Sequence, residues 1–149
     1  MKTLRIAAAL LTRADGKTLL VRKRGTLAFM QPGGKIDAGE SAVQALAREL
    51  SEELGLTIVP DEARFLGEFS AVAANEPGFE VNCQLYGVHA DQPVTPAAEI
   101  EEAIWVDDGN IDELHLAPLT RDSILPLYRS LQKAWLTSGR WLTGVLATR

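Results

Sequence analysis

At 149 residues the chain has the length of one compact domain, and a single domain over residues 1–149 is expected. Its 46% apolar and 23% charged residues, with 12 Gly and 7 Pro, exclude disordered, collagen-like and membrane-embedded classes. The net charge of −5, from 15 Lys and Arg against 20 Asp and Glu, offers no broad basic surface to a nucleic-acid polymer. A local cluster of cations still suits a small anion, and grouped carboxylates suit a hard cation.

The start, Met1 to Arg5 followed by the apolar Ile6 to Leu11, imitates a signal peptide only faintly. The run is short, lacks a small-residue cleavage site and ends at Asp15-Gly16, so it predicts a first strand and a turn in a soluble, cytoplasmic protein. Strand character resumes from Thr18 to Arg24, giving an expected hairpin over residues 4–24, and Pro32-Gly33-Gly34 breaks the chain after the apolar piece Leu27 to Gln31. From Ser41 to Leu54 the spacing of Val43, Leu46, Ala47, Leu50 and Leu54 predicts a helix, stopped by Gly55.

Two strands are expected at Phe65 to Ala73 and Glu80 to Ala90, parted by the turn Asn75-Glu76-Pro77-Gly78. Cys83, the sole cysteine, lies in the second and reads as core; with one cysteine there is no intramolecular disulfide and no thiolate metal cluster. A short strand around Ile104-Trp105-Val106 precedes a second helix between about Thr120 and Leu136, whose apolar face is Ile124, Leu127, Tyr128, Leu131 and Trp135. Pro126 either starts that helix late or kinks it. The tail from Ser138 carries Trp141, Leu142, Val145 and Leu146, which pack back on the domain or form a subunit interface.

On the first helix Glu49, Glu52 and Glu53 fall within an arc of roughly 100°. Their repulsion calls for solvation or a cation, and three carboxylates suit Mg²⁺ or Mn²⁺ better than Zn²⁺. His89 and His115 lie far apart and read as ordinary histidines. Upstream, Pro32-Gly33-Gly34-Lys35 forms a turn whose backbone can approach a ligand, and Arg22, Lys23 and Arg24 end the preceding strand, so cations and carboxylates can converge on a phosphate chain.

Residues 34–56 resemble the Nudix box, G-x5-E-x7-R-E-U-x-E-E-x-G-U, through Gly34, Glu40, Arg48, Glu49, Leu50, Glu52, Glu53, Gly55 and Leu56, without a departure. The resemblance implies an α/β fold, an α/β/α sandwich with a mixed β-sheet, and a metal-dependent hydrolase of a nucleoside diphosphate linked to another moiety. It further implies Glu49, Glu52, Glu53 and the Gly33 carbonyl as ligands of Mg²⁺ or Mn²⁺, Arg48 as the residue that positions the carboxylates, and Glu49 as general base. Glu99 is the expected further carboxylate, with Glu101 and Glu102 as alternatives.

Outside the box, Ala71-Val72-Ala73-Ala74 lacks the Tyr of dinucleoside polyphosphate hydrolases and the Pro of ADP-ribose hydrolases. The approach Phe29 to Lys35 resembles that of MutT-type nucleoside triphosphate pyrophosphohydrolases, with Gln31 in the place of an aromatic residue and Thr120 near the place of a base-reading asparagine. Arg24 and Lys35 are then expected on phosphates. Phe29 and Met30 either flank a base or pack in the core. The implied reaction gives a nucleoside monophosphate and pyrophosphate; the alternatives are an ADP-ribose or nucleotide-sugar pyrophosphatase and a non-catalytic nucleotide sensor. The expected partner is a small nucleotide, and a homodimer is the assembly the resemblance brings with it.

Overall fold

The apolar run Ile6 to Leu11 becomes the centre of a strand buried on both faces, as a central strand must be to escape alternation. In the structure, a computed structural model that describes residues 1–138 with side chains through Ala134, this strand is β1 (Lys2–Thr12). The tail residues Trp141, Leu142, Val145 and Leu146, and the Trp135 side chain, lie outside the described residues. The remaining strands and α-helices are β2 (Thr18–Lys23), β3 (Phe29–Met30), β4 (Gly33–Lys35), α1 (Ala42–Leu54), β5 (Arg64–Val72), β6 (Phe79–His89), β7 (Ile100–Val106) and α2 (Leu125–Ser138).

β1 runs parallel to β6 along its whole length, from Lys2 opposite Phe79 to Thr12 opposite His89, and antiparallel to β4 at Ile6, Ala7 and Ala8. β6 pairs antiparallel with β5, and β2 pairs antiparallel with both β3 and β7. The sheet is therefore mixed. Ala7, Ala9 and Leu11 face one core with Leu46, Leu50 and Leu54 of α1. Ala8 and Leu10 face the other with Ile124, Leu125 and Tyr128 at the start of α2. The helices thus cover opposite faces, as a sandwich requires.

The expected hairpin over residues 4–24 is corrected by this pairing. β1 and β2 meet at a single position, Thr12 opposite Thr18, and then part, because β4 and β6 occupy the edges of β1 while β7 takes β2. The turn itself is as expected, with Gly16 at φ 86° donating its N–H to the Arg13 carbonyl.

α1 has the ends its sequence announces. Ser41 accepts from the Gln44 N–H while the Gln44 side chain accepts from the Ser41 N–H, and Gly55 closes the helix at φ 65°. Ser41→Ala is expected to cost about 1 kcal/mol of stability in urea unfolding. The buried face is turned from the expected one: Val43 and Ala47 are only half-buried, whereas Ala45 and Glu53 are buried. Cys83 is fully buried, and burial pushes its thiol up to about 12.

The second helix starts with a π-turn, Thr120–Ile124, closed by the Leu125 N–H on the Thr120 carbonyl, and the α-helical geometry of α2 begins beside Pro126. Proline lacks the N–H that an α-helical bond at that place needs. The strand around Trp105 extends back to Ile100, because β2 supplies a partner for each of those residues except at one bulge.

Candidate active site

Two carboxylates of α1 rest against the two glycines of β4. Gly33 donates its N–H to Glu53 Oε1 at 3.2 Å, and a Cβ on Gly34 would lie 1.9 Å from Glu49 Oε2. Only a residue without a side chain lets Glu49 come so close. Glu53 is 3% exposed. Burial, then repulsion from Glu49, raises its carboxyl to about 8 against the opposing Gly33 hydrogen bond. Burial also raises Glu49, with Arg48 opposing it.

Arg48 is the hub that orders the acids around this pair. Its guanidinium binds Glu40 through Nε and Nη2 at 2.8 and 2.9 Å, Glu49 at 3.0 Å and the Lys35 carbonyl at 3.1 Å. Asp37 and Glu52 follow at 3.3 and 3.6 Å. The hydrogen bonds from Arg48 pull Glu40 down to about 2 and raise the guanidinium in turn. Arg48→Lys keeps the charge but loses the planar fork. It is expected to lower metal affinity and turnover by about 10–100-fold, read from metal titrations of activity.

Glu52 is the exception within the triplet. Its side chain is half-exposed and turned to Arg48, and among the described residues no three acidic, His or Cys groups form a ready-made metal cluster. The oxygen donors nonetheless fit a hard cation. A buried carboxylate facing a second one, both raised by burial and mutual repulsion, is a pair that added positive charge would relieve.

Glu99 reaches this region through the loop before β7. The Thr95 and Ala97 N–H groups bond the carbonyls of Leu54 and Glu53 that end α1, and Ala98 takes φ 54°. The charge of Glu99 acts on Glu53, and its side chain pairs with Lys23 at 3.4 Å. Glu101 and Glu102 are instead engaged by Arg24 at 3.7 Å and Arg22 at 3.2 Å.

Beside the glycines lies a cleft of about 110 Å³ whose lining includes Lys23, Met30, Gln31, Gly33, Gly34 and Lys35. Lys35 is in place there, paired with Glu76 at 3.7 Å. Arg24, expected on phosphates, is held by Glu101 and the Ala98 carbonyl, and Lys23 is the β2 cation that lines the cleft and whose charge acts on Glu49 and Glu53. Strand alternation carried the signal: Leu19 and Val21 face α1, so the next residue of that face is Lys23. Phe29 is 7% exposed and packed in the α2-side core, so of its two readings the structure has core packing.

Residues 2–128 match the NUDIX domain family. The 8-oxo-dGTP diphosphatase of Haemophilus influenzae is 38% identical over 123 residues, covering 78% of this chain and 85% of that protein. The CTP pyrophosphohydrolase of Escherichia coli is 31% identical over 125 residues, covering 79% and 86%. Among solved structures, the MutT protein from Methanosarcina mazei Go1 shares the fold with a TM-score of 0.72 at 22% identity, over 89% of this chain and 96% of that one. Among the described residues no helix is long and apolar enough to cross a membrane.

Proposed function

Since the chain belongs to the Nudix family of hydrolases acting on phosphoric anhydrides, we propose that it is an Mg²⁺- or Mn²⁺-dependent nucleoside triphosphate pyrophosphohydrolase. The products are a nucleoside monophosphate and pyrophosphate. The observation that carries this reading is the buried Glu53 beside Glu49 on the Gly33-Gly34 turn, at the edge of a cleft that also holds Lys23 and Lys35.

The ligands are Glu49, Glu53 and the Gly33 carbonyl, completed by Glu52 and Glu99. A bound divalent cation supplies neutralisation of phosphate charge and a lowered pKa for attacking water. Lys23 and Lys35 steady the phosphates as point charges. Arg48 positions the carboxylates, holding Glu49 through Oε1, and Glu49 takes the proton of the water, the role that the Nudix resemblance gives it. The nucleotide pyrophosphohydrolases among the relatives support a triphosphate substrate.

The test is a panel of NTPs, dNTPs, oxidised dGTP, ADP-ribose and diadenosine polyphosphates with Mg²⁺, resolving pyrophosphate from phosphate. Pyrophosphate with a monophosphate from a triphosphate is the expected result. AMP with ribose phosphate, or nucleotide binding without turnover, overturns it.

A further inference from the structure

Gln31 is 6% exposed. Its Oε1 accepts from the Thr120 hydroxyl at 2.8 Å, across 89 positions of sequence, while its Nε2 has no hydrogen-bond partner among the described residues. A buried amide N–H₂ left without an acceptor is costly. Gln31 lines a small pocket in which every other lining residue except Thr120 is apolar, among them Leu119 and Ile124. That pocket and the cleft beside Gly33-Gly34 share Ile6, Ala8, Met30, Gln31, Ala74 and Val81. They form one trough, with Lys23, Lys35, Glu76 and the Gly33-Gly34 turn at one end and an apolar slot at the other.

An apolar slot with a single unmet donor at its wall suits a flat heteroaromatic ring that carries an acceptor on its edge. We infer that Gln31 reads a nucleobase carbonyl, and that Thr120 is the positioning residue that holds the amide with its N–H₂ toward the base. The assignment rests on the reading of the site as nucleotide-binding and adds which chemistry of base it takes. With the Thr120 hydroxyl donating to Gln31 Oε1, the amide N–H₂ is the end left for the ligand. A keto base completes the Gln31 hydrogen bond, whereas an amino group at that place sets donor against donor.

The test compares kcat/KM for UTP against CTP and ITP against ATP, pairs that differ by keto against amino at one ring position. Equilibrium binding of the same nucleotides with Ca²⁺ replacing Mg²⁺ is measured in parallel. Wild type is expected to favour the keto member of at least one pair by about tenfold or more. Gln31→Met, nearly the same shape, is expected to bring that ratio to about one with little change of Tm in the absence of nucleotide, because the unmet donor it removes offsets the Thr120 hydroxyl it leaves without an acceptor. Gln31→Glu inverts the ratio, Thr120→Val moves it toward one, and Thr120→Ser restores it. No keto preference in either pair, or a preference that survives Gln31→Met, overturns the assignment. Absent turnover with a keto preference in binding that Gln31→Met removes supports the reader and overturns the hydrolase reading beneath it.

Discussion

Glu53→Gln is expected to lower turnover by about 10²–10³-fold, the scale of losing one preorganised electrostatic contact to the transition state, while making the metal-free protein more stable near pH 8. The carboxyl of Glu53 sits at about 8 in the folded chain against 4.5 as its ordinary value, first because it is buried and next because Glu49 faces it. Between those values the unfolded chain has released the proton that the folded chain still holds. Stability therefore falls as pH rises through that window, fully retained below about 4.5 and lost by about 8, on the order of 5 kcal/mol in all. Glutamine keeps an oxygen for the Gly33 N–H and has no proton to lose.

Thermal melts in EDTA at pH 5, 6.5 and 8 read this difference. Wild type is expected to lose Tm across the series and Glu53→Gln to stay nearly level. Saturating Mg²⁺ restores the wild type at pH 8 by mass action and leaves the variant where it was. Parallel pH profiles for the two proteins would overturn the account of Glu53 as a strained, metal-seeking carboxylate.

The contrast between what the sequence discloses and what it conceals follows from the range of the interactions. α1 was legible to within a residue at both ends, because Ser41, Gln44 and Gly55 act on backbone groups a few positions away. The Nudix box was legible for the same reason, its acids lying on adjacent turns of one helix. Which carboxylate is buried was not legible. Glu53 occupies the sheet side of α1 because β4 offers it the Gly33 N–H across 20 positions, and no helical period encodes that partner. Glu99 depends on a loop that docks on the carbonyls ending α1. The Gln31–Thr120 pair joins two segments whose encounter only the sandwich brings about. Lys23 sits between these cases, since alternation along β2 names its face, while the bulge between Arg22 and Lys23 hides what Arg24 will meet.

Gly33→Ala is expected to be more damaging to folding than alanine at Gly34 or Gly25, with a loss of at least about 3 kcal/mol, and to remove activity with it. The residue has φ 148°, and a Cβ there would lie 2.1 Å from the Ala7 carbonyl oxygen and 2.7 Å from the Ala8 Cα. Both obstacles are backbone of the central strand, so relief requires β4 to leave β1, and the hydrogen bond to Glu53 leaves with it. The neighbouring Gly34→Ala meets only the Glu49 carboxylate, at 1.9 Å from Oε2. That side chain can swing aside, so the expected outcome is stability near wild type with turnover lost. Gly25→Ala, at φ 79° with nothing within 4 Å, isolates the conformational strain of a positive φ, about 1–2 kcal/mol. Urea unfolding of the three variants beside their turnover separates the effects. If Gly33→Ala costs no more stability than Gly25→Ala, β4 is not pinned against β1 as the geometry requires. If Gly34→Ala keeps full activity, Glu49 does not act from its place on that glycine.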